Sequence, residues 1–405
     1  AVAVVRSADD ARWCVPIIVD GGVVRRSAPG DGTAERLVRL LQDPGQPTAA
    51  GFTVRPHTRV PLAPDAVLGE RGISADQTNQ SVIVDEHIVV KWMTGLPPAD
   101  QPGSPAASRI GALAAADFVE MPTPYGFLSA SGPNEAEQVL AVSVAYLPGA
   151  EDGWDWATAD LRAWLAGASD FATAVAAATR LGAITAHMHA GLARLGVDPA
   201  RGEQARAWQQ QATADLAEAV TVVRGPFADR LRTWQPRIAS ALTGLGSLAG
   251  TATIAIHGDL HVGQVLRAVD PGGTQQLLVT DFDGNPTLPM SQRWAAQPAA
   301  VDVVGMLASL DHVGRIVQYR DPGSDLVRIR RWISVSQQQF LAAYRSQATD
   351  LGTADLLDER LLAPWRLWQE LREIRYAVAH LPHWVYVPEL ALADLLDDHP
   401  LPQED

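Results

Sequence analysis

At 405 residues, 47% of them hydrophobic and 19% charged, the chain exceeds one ordinary core and has the make-up of a folded protein, so two domains or two lobes are expected. The net charge of −14 comes with basic residues scattered along the chain, which argues against nucleic acid as a partner. A single cysteine, Cys14, excludes an intramolecular disulfide and any cysteine-based zinc cluster.

The N-terminal stretch AVAVVRSADDARW lacks the basic start and long apolar run of a secretory signal. The longest apolar stretch, residues 171–195, carries Arg180, His187 and His189 and is too interrupted to span a bilayer. A soluble, reducing, cytoplasmic setting is therefore expected, with no membrane partner and a monomeric chain.

The first part of the chain reads mainly as strand. VPIIVD (15–20) precedes a turn, SVIV and HIVVKWM (81–93) form two β-branched runs around a turn at Asp85 and Glu86, and VLAVSVAYL (139–147) is a further apolar run. Helices are expected at 32–42 and about 106–117. Pro, Gly and acidic residues in PGAEDGW (148–154) then break the pattern. This sets the boundary between an N-terminal lobe, 1–148, with a cap over about 1–60, and a helical C-terminal lobe, 149–405. In the second part a short helix at about 161–165 is followed by longer ones at 170–195, 203–222 and 227–245. Strands are expected at TIAIH (253–257), QVLRAV (264–269) and QQLLVTDF (275–282), the last two flanking a DPGG turn (270–273). Helical periodicity returns over 301–319, 326–347, 355–380 and 389–396. The fold class is α+β, a β-rich lobe joined to a mainly helical one with an embedded hairpin.

Of the 32 lysines and arginines a single residue, Lys91, is lysine, and it lies at the end of an apolar strand. An ammonium is a compact point charge on a flexible stem, whereas guanidinium is a planar fork, so the exception calls for a physical reason. The stretch HGDLHVGQVLRAVDPGGTQQLLVTDFDGNP (257–286) supplies a candidate reason. Asp259 precedes Gln264 by five residues, and Asp281 and Asp283 follow in TDFDG. One carboxylate to orient and deprotonate a hydroxyl, then an amide oxygen and a carboxylate for magnesium, is the equipment of phosphoryl transfer. Asp283 is either a second magnesium contact or a turn residue. His257 and His261 are four apart but have no third ligand nearby, which speaks against zinc.

The spacing D-x-x-x-x-Q followed by D-F-D matches the catalytic segments of protein kinases, and HGDLH in place of HRDL points to their small-molecule branch. The region resembles aminoglycoside phosphotransferase-type kinases and, among them, the actinobacterial maltokinase-like group. AYLPGAEDGW (145–154), ATRLGAITAHMHAGL (178–192) and REIRYAVAHLPHWVYVP (372–388) extend the resemblance over nearly the whole chain. It implies a two-lobed protein-kinase-like fold, with ATP as co-substrate under the hairpin 76–91. Lys91 would contact the α and β phosphates, and Asn79, Gln80, Ser81, Val144 and Tyr146 would meet the nucleotide. Gln264, Asp281 and Asp283 would hold Mg2+, Asp259 would be the catalytic base, and His257 would brace its loop, with His187 and His189 packed beneath. The loop DQTNQS (76–81) has no glycine, unlike a kinase Gly-rich loop. Kinases also pair the lysine with a helix glutamate, but Ser108 stands at that place. Either Glu120 or Glu135 substitutes or the pair is missing, and the sequence leaves both open.

In WRLWQELREIRYAVAHLPHW (365–384), Gln369, Glu373, Tyr376 and His380 fall on one helix face. An amide, a carboxylate and a phenol together suit sugar hydroxyls or an amine better than a core. Trp365, Trp368 and Trp384 offer an apolar wall, although tryptophan at helical spacing is also what a core uses. The substrate set is Asp259, Gln369, Glu370, Glu373, Tyr376 and Trp384. The acidic pair Glu370 and Glu373 favours a cationic amino sugar. The resemblance implies either a disaccharide or glucosamine as acceptor, so the expected reaction is transfer of the γ-phosphate of MgATP to a sugar hydroxyl, glucosamine giving glucosamine 6-phosphate. The alternatives are maltose giving maltose 1-phosphate, an aminoglycoside acceptor, and a pseudokinase scaffold.

Overall fold

The structure, a computed structural model, describes residues 1–7, 11–43, 51–58, 60, 68–73, 80–132, 135–270 and 272–397. Two compact units are present: Ala1–Ala150 with Ala268–Ala295, and Glu151–Arg267 with Ala296–Asp405. Residues 268–295, which the sequence reading put in the C-terminal lobe, thus group with the first unit.

The first 150 residues contain β1 (Val2–Arg6), β2 (Arg12–Asp20), β3 (Val23–Arg26), α1 (Thr33–Gln42), β4 (Phe52–Pro56), β5 (Glu70–Gly72), β6 (Gln80–Val84), β7 (Ile88–Trp92), β8 (Gly95–Leu96), α2 (Ala106–Ala115), β9 (Pro124–Ala130) and β10 (Gln138–Ala145). Six strands form one antiparallel sheet in the order β4-β9-β10-β7-β6-β5, and β2 with its neighbours β1, β3 and β8 forms a second. Asp85 and Glu86 both take positive φ, 52° and 51°, as a tight turn between twisted antiparallel strands requires. In β7 burial alternates with period two: Ile88, Val90 and Trp92 enter the core with Leu37, Val38 and Leu41 of α1, and Lys91 stands on the other face. Lys91 lies opposite Ser81 of β6 and Val142 of β10.

The sequence reading missed β1, β3, β4, β5, β8 and β9. In β9, PYGFLSA, every residue but the last is buried, so no alternation marks it, and Gly126 would bring a Cβ to 2.4 Å from the Arg55 carbonyl of the adjoining β4.

The second unit opens with α3 (Gly153–Leu165), α4 (Phe171–Leu192), β11 (Asp198–Pro199), α5 (Gly202–Val222), α6 (Pro226–Thr243) and β12 (Ala252–Thr253). Along β13 (Val265–Val269) the chain passes into the first unit, runs through β14 (Gln275–Val279) and α7 (Met290–Trp294), and returns for α8 (Ala300–Arg320), α9 (Leu326–Asp350), α10 (Leu362–His380) and α11 (Tyr386–Leu396). α4 packs against α9 at a point where a Cβ on Gly182 would fall 2.1 Å from the Phe340 carbonyl, so the approach needs glycine. α10 packs against α5, α6, α8 and α11.

Two expectations are corrected here. α3 begins at Gly153 and not near residue 161, because the Asp152 carboxylate accepts the Trp154 N–H at 2.8 Å and caps a helix that Asp and Gly had disguised as a breaker. Residues 253–257 are not a strand beyond β12. Ile254 makes one isolated bridge to Gln297, and the His257 N–H is taken by a carboxylate.

Candidate active site

In the second unit, His257 to Val265 follow an irregular path fixed by three helices. Asp302, fully buried in α8, accepts the His257 N–H at 2.7 Å on one oxygen and the Gly258 N–H at 2.8 Å on the other. Nε2 of His189, in α4, lies 3.2 Å from Asp302, and with its N–H donated there, Nδ1 accepts the Tyr344 hydroxyl at 2.8 Å. Burial alone would raise the Asp302 pKa, but the contacts with His189 outweigh it and hold the carboxyl below the ordinary aspartate range.

Further along α8, a Cβ on Gly305 would stand 2.4 Å from the Leu260 carbonyl, and Ser309 Oγ accepts the Val262 N–H at 3.0 Å. Residues 302, 305 and 309 follow i, i+3, i+7, so one helix stripe holds the loop. From α3, Gly153 allows contact with the Val262 carbonyl, where a Cβ would be 1.7 Å away, and the Trp156 indole N–H donates to the Val265 carbonyl at 2.9 Å. Gly258 has φ 83°, which accounts for glycine between His257 and Asp259.

Asp259 is thereby carried, half-buried, on a braced turn, with its own N–H directed to His257 Nδ1 at 3.3 Å. His257 braces the loop through its ring and its backbone, as expected. Gln264 ends a 3-10 turn, Val262–Gln264, with its amide nitrogen 3.5 Å from His261 Nε2, and the His261 ring stacks on Trp154.

In the first unit, Lys91 Nζ lies 2.7 Å from Asp281 Oδ1 and 2.7 Å from Asp283 Oδ2. Burial would lower the lysine pKa, but the charges of Asp283 and Asp281 prevail and hold it above the usual lysine range. Asp281 has φ 61° and a side chain 42% exposed, while that of Asp283 is 11% exposed and its other oxygen accepts the Ser104 hydroxyl. The counter-charge to Lys91 thus comes from aspartates of the TDFDG segment. Of the two glutamates considered from sequence, Glu135 is paired with Arg12 at 3.2 Å, and the Glu120 carbonyl accepts the Val279 N–H at 2.8 Å.

The nucleotide residues expected on the hairpin are partly seen. Asn79 lies outside the described residues. Gln80 opens β6 with its side-chain oxygen on Arg26 at 3.0 Å, and Ser81 faces Lys91 in register. Val144 pairs with Val89 two positions along β10 from Val142, on the sheet face that carries Lys91. The Tyr146 hydroxyl accepts from Arg71 at 3.0 Å, and the Arg71 guanidinium lies over its ring.

On α10, Gln369 donates to Glu373 at 2.9 Å and Tyr376 lies against His380, so the four residues do share one face. Burial pushes the Glu373 carboxyl above the ordinary glutamate range. One assignment is corrected and one open choice is decided. Glu370 is completely buried, 3.3 Å from the Arg366 guanidinium and 3.6 Å from His312, which removes it from the groups a dissolved sugar can reach. Trp365 and Trp368 are core residues packed on each other and, for Trp365, on Trp208, and the Trp368 indole N–H donates to Asp215 at 2.7 Å. Trp384 is half-buried beside Tyr386.

Among the described residues no three His, Cys, Asp or Glu side chains gather as a metal cluster. Taken singly, Gln264 in the second unit has an amide oxygen and Asp281 in the first a half-exposed carboxylate, each a hard oxygen of the kind magnesium takes. No described helix is long and apolar enough to cross a membrane.

No protein-family model matches the chain. Over 400 residues it is 53% identical to a glucosamine kinase of Streptacidiphilus jiangxiensis, spanning 98% of this chain and 89% of the relative. A glucosamine kinase of Mycolicibacterium smegmatis is 39% identical over 402 residues, 98% and 95% of the two chains. Two solved structures are 52% identical: a glucosamine kinase in crystal form B, with TM-score 0.90 over 98% of this chain and 91% of that one, and a glucosamine kinase in complex with glucosamine, ADP and inorganic phosphate, with TM-score 0.88 over 98% and 90%. Identity at this level along nearly the full length, with the same fold, means that the chain belongs to the glucosamine kinase family.

Proposed function

We propose that this chain is an ATP-dependent glucosamine kinase that transfers the γ-phosphate to the 6-hydroxyl of glucosamine. The observation that carries the reading is the 53% identity to a glucosamine kinase over nearly the whole chain, together with a matching fold that binds glucosamine, ADP and inorganic phosphate in a 52% identical protein.

The roles follow from chemistry. Asp259 orients the acceptor hydroxyl and takes its proton as the oxygen attacks phosphorus, and ADP leaves with the electron pair of the broken P–O bond. The braced loop supports this role, since a base must be held within hydrogen-bond reach of its proton. Lys91 offsets charge on the α and β phosphates. Gln264 and Asp281 would each offer a hard oxygen to the magnesium of MgATP, which would supply neutralisation of phosphate charge. Gln80, Ser81, Val144 and Tyr146 belong to nucleotide recognition. Gln369, Glu373 and Tyr376 of α10, with Trp384 just beyond its end, are the groups for the sugar, with Glu373 serving its ammonium.

The test is ADP release by the purified chain with MgATP and, separately, glucosamine, maltose, glucose or kanamycin, with the phosphorylated position read by NMR. Release with glucosamine and phosphate on the 6-oxygen is the expected result. Release with maltose in its place overturns the acceptor, and no release with any of the four overturns the enzyme.

A further inference from the structure

We infer that Asp283 and Ser104 fix the phosphate-binding lysine of this chain in place of a helix glutamate, so that Asp283 serves Lys91 and not a metal ion. The inference rests on the reading of Lys91 as the nucleotide lysine. α2 contains no acidic residue, yet Lys91 is doubly paired. Its two aspartates are not equivalent. Asp281 has a side chain 42% exposed, open to exchange of its partner. Asp283 is buried, with one oxygen on Lys91 and the other on the Ser104 hydroxyl. A buried carboxylate keeps its cation, because losing it would leave an uncompensated charge.

Ser104 stands two residues before α2, where its Oγ also accepts the N–H of Ala106, the first residue of the helix, at 3.2 Å. One turn into that helix, buried Arg109 donates to the Phe282 carbonyl at 2.8 Å and to the Arg293 carbonyl at 2.5 Å. Gly284, at φ 77°, leaves room for it, since a Cβ there would sit 3.1 Å from Arg109 Nη1. Arg109 of α2 thus holds the backbone at 282 and Ser104, just before the helix, holds Asp283, and through Asp283 this segment sets the lysine. Ser104 acts through another residue and is a positioning residue.

The experiment compares wild type, Ser104→Ala and Ser104→Thr, each with Lys91 intact or changed to Met, by calorimetry of ADP binding in EDTA. This readout needs neither acceptor nor metal, so it can fail without the glucosamine assay failing, and the reverse. Loss of one charge-assisted hydrogen bond should weaken ADP binding and raise the ATP KM roughly three- to ten-fold in Ser104→Ala, with kcat within about two-fold. Ser104→Thr should restore wild-type affinity, and in the Lys91→Met background Ser104→Ala should have no effect. A lowered melting temperature with unchanged ADP affinity would reduce Ser104 to a helix cap and overturn the proposal. So would an effect of Ser104→Ala that persists without the lysine. The metal clause is read from Asp283→Asn, whose half-saturating Mg2+ should stay within about three-fold of wild type, as a second-order effect of a neighbouring charge; a larger rise overturns it.

Discussion

Asp302 and Asp281 are both aspartates bonded to segments proposed for catalysis, one in each unit, and they sit in opposite settings. Asp302 is fully buried, with both oxygens committed to backbone N–H groups of the loop that carries Asp259 and one also to His189. Asp281 is half-exposed, held by a lysine that phosphate oxygens would also attract. A fully satisfied buried network defines one geometry and is costly to disturb, whereas a half-solvated ion pair can be exchanged for a ligand at little cost. The proposed base is placed by the first kind of interaction, and Asp281, proposed to meet the metal, by the second.

Asp302→Asn is the strongest attempt to break this contrast. The amide must turn its NH2 toward the loop's own N–H donors, so a loss of about 3–5 kcal/mol in denaturant unfolding is expected. A loss below about 1 kcal/mol would mean that the loop does not depend on the carboxylate. pH gives a second view of the same residue. Because the folded Asp302 pKa lies below its ordinary value, its stabilisation is complete above the ordinary aspartate range and is lost as pH falls through the lower folded value. The acid limb of the stability curve should therefore be flatter in Asp302→Asn.

Lys91→Arg should do the reverse, with kcat/KM for ATP falling about 100-fold while unfolding shifts by less than about 1 kcal/mol, because a forked head replaces a point charge beside the phosphates. On α10, Glu370→Gln should cost about 2 kcal/mol of stability by weakening a buried ion pair. Glu373→Gln should instead raise the glucosamine KM about ten-fold, as loss of one charged contact would. The smallest effect is expected from Trp368→Phe, about 1 kcal/mol from the lost bond to Asp215, with an unchanged glucosamine KM that marks it as core.

Asp259, Gln264 and Asp281 could be proposed from the sequence because their spacing is local and set by one turn and one hairpin. Strands β6 and β7 were legible because their burial alternates or is bounded by a turn with its own chemistry. Asp302, Gly305 and Ser309 escaped notice although they share a helix stripe, since nothing in α8 alone says that this stripe meets backbone and not side chains. The bond from Ser104 to Asp283 joins residues 179 positions apart and leaves no local trace. Glu370 was misplaced because it is adjacent in sequence to Gln369, while a helix turns each residue about 100° from the last and carries Glu370 inward. The tryptophans 365 and 368 show the limit of residue type as a guide, since the same indole serves a sugar wall or a core.

Asp259 is proposed to perform the chemistry and not to hold the nucleotide. Asp259→Asn, assayed for glucosamine-dependent ADP release and for ADP affinity by calorimetry, tests it most directly. The expected result is a fall in kcat of about 10²- to 10⁴-fold with ADP affinity within about two-fold of wild type. Turnover within about ten-fold of wild type, in a variant that binds ADP normally, would contradict it.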